Sequence, residues 1–128
     1  MDILFENRVK EFVCRLQRAY LVERDVQKVL SGMDENVEWI GTGQQESGRG
    51  ISGAKRFFAE EYQLYPSPFD ILEEEYDIKI LDPRTAAVSE KLVIQESGKE
   101  AFFDKLKIRV TAVVREQNGE LKVLQVHM

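Results

Sequence analysis

Apolar side chains recur at steps of three and four along the first twenty or so residues, at Phe5, Val9, Phe12, Val13, Leu16 and Tyr20, with Glu6, Arg8, Lys10, Glu11, Arg15 and Arg18 between them. That period gathers the apolar set on one side of a helix, predicted over roughly residues 3 to 21. Asp25 is placed to cap a shorter helix that carries Val26, Val29, Leu30 and Met33 and ends near Gly32. The polar run Asp34-Glu35-Asn36 leads into Val37-Glu38-Trp39-Ile40, whose β-branched and aromatic members suit a strand. Gly41 to Gly50 is rich in glycine and polar residues and reads as a loop or a strand crossing a tight bend. A third helix is predicted from about Ser52, its N-cap, through Phe57, Phe58, Tyr62 and Leu64, until Pro66 and Pro68 stop it.

From Phe69 the pattern changes to alternation. Leu72, Tyr76, Ile78 and Ile80 share one side of a strand, and Glu73, Glu75, Asp77 and Lys79 take the other. After a turn at Asp82-Pro83-Arg84, the residues Val88, Glu90, Leu92 and Ile94 align on one face of the next strand. Ser97-Gly98-Lys99 makes a hairpin, and a third strand sets Phe102, Asp104, Leu106, Ile108, Val110, Ala112 and Val114 towards the core. Asn118-Gly119 is a turn before a last strand from Leu121 to Val126. Strands grouped after helices predict an α+β domain over residues 1–128, three helices packed on a curved antiparallel sheet in the order ααβαββββ.

Length and composition narrow the function classes. The 128 residues suit one domain, and 43% hydrophobic with 32% charged residues supplies both a core and a solvated surface. A net charge of -5 argues against nucleic acid as the partner, because neutralising phosphates calls for a basic face. No stretch approaches the roughly 20 apolar residues of a membrane span. A single cysteine, Cys14, and the absence of a leader-like start make a reducing, cytoplasmic setting the expectation. The glycines at 41–50 invite a phosphate-loop reading, which fails because no Lys-Ser/Thr pair follows and the GxGxxG spacing is missing. No motif indicates a cofactor.

The element order resembles that of the nuclear transport factor 2 superfamily, most closely its SnoaL-like branch. The resemblance rests on Asp25-Val26-Gln27-Lys28-Val29-Leu30 leading into Asn36-Val37-Glu38-Trp39, on Gly53-Ala54-Lys55-Arg56-Phe57-Phe58, and on Gly119 to His127 as the closing strand. It implies a conical half-barrel with a pocket at its open end, in proteins that are often dimeric, some catalytic and others binding or assembly modules. Fold alone does not choose among those roles. The steroid isomerases of this superfamily have a basic aspartate, a tyrosine and a protonated acid where this chain has Trp39, Gln17 and Val113 or their neighbours. An isomerase of that layout is therefore not expected, since a base must sit beside the proton it removes. Val123-Leu124-Gln125-Val126-His127 also looks like the closing strand of the association domain of calcium/calmodulin-dependent protein kinase II, which assembles an enzyme and does no chemistry.

Several residues are candidates for a site, each with a plainer reading beside it. A hairpin turning at Gly98 sets Glu90 opposite about Leu106 and Asp104 opposite about Leu92, which places the two acids about 7 to 8 Å apart on one face. Two carboxyls in an apolar hollow split their pKa values and can do acid/base work. The plainer reading puts Asp104 in solvent and pairs Glu90 with a cation. Trp39 on the first strand, Phe58 and Tyr62 four apart on the third helix, and Tyr76 are candidate pocket residues, with core packing as their alternative. Tyr20 belongs to the same class. His127, the single histidine, is a proton-shuttle candidate or a structural strand end, and with no second histidine or clustered cysteine no metal site is expected. The acidic run Glu73-Glu74-Glu75 and the basic set Lys105, Lys107 and Arg109 read as cross-strand pairs or as a dimer surface.

These observations point to a small-molecule-binding domain without a recognisable catalytic set. Its expected partners are a small apolar or aromatic ligand held between the sheet and the third helix, and a second copy of the chain. The alternatives are a cyclase, isomerase or hydratase that uses Glu90 or Asp104 as base, and an assembly or sensory module of a longer signalling protein, suggested by the stop at Met128 directly after the last strand.

Overall fold

A computed structural model describes residues 3–41, 43, 47–98 and 105–128. Helix α1 (Ile3–Arg18) buries Phe5, Val9, Phe12 and Val13 at helical spacing. The chain then widens into one π-helical turn (Ala19–Glu23), closed by Arg24 in the left-handed region at φ 57°. The period predicted a continuous helix to residue 21, and the wider turn preserves the buried face while swinging Tyr20 and Leu21 inward. Asp25 caps α2 (Val26–Ser31) as expected, its carboxylate accepting from the Lys28 N–H.

Strand β1 (Met33–Ile40) starts four residues earlier than the apolar pattern suggested. The polar run lies inside the strand at an irregularity in pairing between Met33 and Glu38, and Asp34 accepts from the Asn36 backbone and from Gln117. The glycine stretch contains a sixth strand, β2 (Ser47–Arg49). Helix α3 (Gly50–Leu64) begins at Gly50, with Arg49 in the capping position and no side-chain cap, so Ser52 lies within the first turn. Four long strands follow, β3 (Phe69–Asp82), β4 (Thr85–Glu96), β5 (Leu106–Gln117) and β6 (Glu120–His127).

The sheet order is β2-β1-β6-β5-β4-β3. β3 to β6 form the antiparallel meander, and β1 pairs with β6 in parallel, so the sheet is mixed rather than wholly antiparallel. Register shifts in β1, β3 and β5–β6 bend and twist the sheet so that its concave face wraps the helices. The shift at Ile71/Glu73 makes Leu72 the extra residue, which explains why it is exposed while Tyr76, Ile78 and Ile80 keep the inward side. Ala86, Val88, Leu92 and Ile94 of β4 and Val110, Ala112 and Val114 of β5 line the core as their alternation predicted.

The register of β4 with β5 differs from the expected one. Glu90 faces Val110 and Leu92 faces Ile108, a shift of four residues that opens a wider connection than a tight turn at Gly98 would. Asp104, the expected diagonal partner of Glu90, lies outside the described residues.

The glycines of the loop serve packing. A side-chain carbon at Gly48 would meet the Gly53 carbonyl oxygen at 2.7 Å, so β2 lies directly on the first turn of α3. Gly48→Ala is expected to cost roughly 2 kcal/mol, because the obstacle is backbone and gives little. Ser47→Ala, at an exposed position of the same strand, should stay within about 0.5 kcal/mol. Urea denaturation of the two variants checks this, and equal stability would remove the close approach as the reason for the glycine.

Candidate functional site

The helices do not fill the concave face of the sheet completely. A small cavity of about 40 Å³ remains, lined by Val13, Leu16 and Gln17 of α1, Tyr20, Val29 of α2, Met33 and Trp39 of β1, Glu90 of β4, Ala112 of β5, and Val123 and Val126 of β6. Its walls are apolar except at Gln17, Tyr20, Trp39 and Glu90. This cavity lies under α1 and α2, while the place between the sheet and α3 that the sequence suggested for a ligand corresponds to a second, larger hollow. Between the two, Phe58 meets the Trp39 ring edge-on at 4.7 Å, and Phe57 lies 5.1 Å from it.

Glu90 comes to this cavity because β4 alternates inward at Val88, Glu90 and Leu92, three buried residues in succession on one face. Its side chain is 2% exposed, and the Gln17 amide donates to Oε1 at 2.9 Å. Burial among apolar groups disfavours the ionised form and pushes the carboxyl up to about 7, against a smaller lowering by the Gln17 hydrogen bond. Lysine, arginine and histidine are absent from the described lining, so no cation offsets the burial.

Trp39 is held by parallel pairing of β1 with β6, where it faces Val126. Its indole N–H is buried and finds no acceptor among the described residues. Leaving such a donor unpaired costs about 1 to 3 kcal/mol, which marks a position where an acceptor belongs. Tyr20, from the π-helical turn, stacks on Tyr62 at 5.5 Å and tilts against Trp39 at 6.0 Å. Burial raises its phenol above the ordinary range, so the hydroxyl keeps its proton.

Tyr20 also lines a second hollow. A cleft of about 360 Å³ runs past Phe57, Tyr65, Phe69, Ile94 and Ile108, with Glu61, Lys107 and Arg109 also on its lining, and the Tyr20 side is the wall it shares with the inner cavity. Its size is within the range of small-molecule sites. Tyr62 supports that wall: its hydroxyl donates to the Tyr20 carbonyl at 2.8 Å, and the Arg24 guanidinium lies 4.3 Å over its ring while donating to the Ser67 carbonyl. Arg24, whose left-handed backbone ends the π-helical turn, thereby ties that turn to the approach to β3.

The structure thus brings Trp39 and Glu90 together on one cavity. Phe58 is fully buried behind Trp39, and Tyr62 stands behind Tyr20, so both support the walls. Tyr76 shares the inward face of β3 but donates to Glu74, which is paired with Arg18 at 2.7 Å, and it lies off the cavity lining. His127 is exposed on the convex face beside Thr111 and Ile40. Gln17 is the polar group that sequence reading left out. Its position one helical turn before Tyr20 on the apolar side of α1 was the available signal. Among the described residues no three His, Cys, Asp or Glu side chains gather as a metal site, and no helix is long and apolar enough to cross a membrane.

Raising the folded-state pKa of Glu90 from 4.5 to about 7 makes the unfolded chain the better acid. The native state then holds one more proton between those values, so stability falls as pH rises from about 4.5 to 7 and levels off above. Glu90→Gln removes this dependence and keeps the shape. The variant should gain about 3 kcal/mol relative to the parent between pH 4.5 and pH 8, on the basis of 1.36 kcal/mol per pKa unit. A stability difference independent of pH would contradict the shift.

No family model matches the chain, and no characterised protein matches its sequence. Solved structures do match its shape. A protein of unknown function with a cystatin-like fold from Nostoc punctiforme superposes with a TM-score of 0.83 at 14% identity, covering 99% of this chain and 91% of that one. A nuclear transport factor 2-like protein of unknown function from Pseudomonas putida gives 0.80 at 15% identity, covering 99% and 87%. A protein from Rhodopseudomonas palustris provisionally assigned as an isomerase gives 0.63 at 18% identity, covering 93% and 85%. At these identities the likeness is one of fold, and the chain has the α+β cone of the nuclear transport factor 2-like and cystatin-like proteins.

Proposed function

We propose that the protein is a small-molecule-binding domain of the SnoaL-like kind, which holds a partly apolar ligand in the hollows that meet at Tyr20. The observation that carries this is the buried indole N–H of Trp39, without a partner among the described residues, on a residue that lines the same small cavity as the buried carboxyl of Glu90. A folded core gains nothing from two such groups there, and a ligand gains orientation from both.

A second reading follows from the same carboxyl. A group that titrates near 7 can take a proton from a bound molecule and return it at another atom, as an isomerase requires, and one structural neighbour carries a provisional isomerase assignment. Glu90→Gln separates the readings: an enzyme loses turnover by roughly a hundredfold or more, whereas a binding protein changes affinity only.

The proposal includes a homodimer through the convex face. There Ala87, Ser89, Lys91 and Val93 of β4 form the centre with Thr111 and Val113 of β5, with Glu73 and Glu75 of β3 on one side and Lys107 and Arg109 of β5 on the other. A two-fold axis through that centre lays each acidic strip on the partner's basic one.

Native mass spectrometry before and after organic extraction, with Trp39 fluorescence read in parallel, tests both parts. The expected result is a dimer that carries a small extractable molecule and shifts its emission on losing it. A clean monomer mass with unchanged emission would contradict the proposal, and a larger ring without ligand would favour the assembly reading.

A further inference from the structure

Away from the hollows that meet at Tyr20, the chain builds another concavity from three elements. A hollow of about 570 Å³ lies between α1, the end of α2 and the turn from β5 to β6. Its walls are tied together: the Arg8 guanidinium donates to the Gly119 carbonyl at 3.5 Å, and the Lys122 ammonium donates to the Ser31 carbonyl at 2.7 Å. A side-chain carbon at Gly32 would meet Leu16 at 2.8 Å, so the end of α2 rests directly on α1. The volume is within the range of small-molecule sites.

Charge sets this hollow apart from the protein as a whole. The chain carries 23 acidic and 18 basic residues, yet the lining holds Arg8, Arg15, Lys28 and Lys122 against Glu11 and Glu120. The carboxylates paired with Arg8 and Lys28, those of Glu116 and Glu23, stand off the lining. Such solvent-exposed pairs contribute little, so little holds either cation away from an anion in the hollow. Arg15 makes no hydrogen bond or ion pair among the described residues, and Lys122 is held in place through Ser31. Arg8 and Arg15 are two turns apart on α1, about 10 Å along its axis, and Lys28 and Lys122 come from the other two walls. The positive groups are therefore spread along the hollow and do not gather at one point.

We infer that this hollow binds an elongated small anion with negative charge at both ends, a diphosphate or a dicarboxylate. A guanidinium can pair with a phosphate or carboxylate through two parallel hydrogen bonds, so Arg8 and Arg15 suit the two ends of such a molecule. A compact anion with one charged centre reaches fewer of these cations at once. The hollow shares only Leu16 with the inner cavity, so anion binding here and ligand binding at Tyr20 stand or fall separately.

The test titrates the protein with inorganic pyrophosphate, glutarate and orthophosphate at matched ionic strength, followed by the backbone amide signals of Ser31, Gly32 and Gly119 in nitrogen–proton NMR spectra. Saturable shifts at these amides are expected with pyrophosphate or glutarate, at least about threefold tighter than with orthophosphate, and the tighter of the two names the head group. Arg15→Gln should weaken that binding about threefold, and Arg15→Gln combined with Lys28→Gln about tenfold, both positions being exposed. Arg56→Gln, exposed on α3 and off this lining, should leave it unchanged. Absence of saturable shifts, or equal weakening by Arg56→Gln, overturns the site. Orthophosphate binding as tightly as both elongated anions overturns the assignment of an elongated ligand.

Discussion

The arrangement of the site depends on the parallel pairing of β1 with β6. This pairing joins the helical first half of the chain to the meander of the second half, and it sets Trp39 opposite Val126. From there the antiparallel ladder carries the register on through Ala112 to Val88, and Glu90 follows one inward position along β4. Sliding β1 by one residue would turn Trp39 to the convex face and bring Glu38 or Ile40 inward. The aromatic wall of Phe57, Phe58 and Tyr20 would then lose its centre. Parallel pairing between segments this far apart in sequence must be supported by packing, and the buried faces of α1 and α3 supply it.

On this scaffold the electrostatics of the cavity follow from what the sequence leaves out. The protein has 18 basic residues, yet none reaches the described lining around Glu90, and Arg18 and Arg8 are spent on Glu74 and Glu116 at the surface. A carboxyl so placed keeps its proton to a higher pH, and only Gln17 moderates the effect. Arg24 lies in the aromatic region, where it faces Tyr62 and the Ser67 carbonyl. Its role is mechanical, since it braces the ring that holds the Tyr20 carbonyl. The Tyr20 wall is therefore firm at its backbone, while its ring packs against Trp39, Phe58 and Tyr62, each such contact worth about 0.5 to 1.5 kcal/mol.

Much of the fold was legible in the sequence because burial imposes a period. The faces of α1, β4 and β5 were readable from the spacing of Phe5, Val9 and Phe12, of Val88, Leu92 and Ile94, and of Val110, Ala112 and Val114. Irregular backbone was not legible. The bulge at Leu72 and the π-helical turn at Tyr20 shift a phase without changing the local composition, and β2 is too short to show alternation. Glu90 stood out as an acid on an apolar face, but its expected partner depended on a hairpin register that a longer connection relaxes by four residues. Gln17 stood only where the steroid isomerases have a tyrosine, and its bond to Glu90 was not legible until the opposite wall was known. The small cavity under α1 and α2 was not legible, because it depends on side-chain volumes on facing elements, with Phe57 and Phe58 packed against Trp39 on the α3 side.

The account turns on Glu90 being a buried carboxyl that faces the cavity without a counter-charge. Carbon NMR of its side-chain carboxyl, followed through a pH titration and assigned with Glu90→Gln, measures this directly. The account predicts a midpoint of about 7. A midpoint near the ordinary 4.5 would mean that water or a cation reaches the carboxylate, and Glu90 would then not be the buried, uncompensated acid on which the functional reading rests.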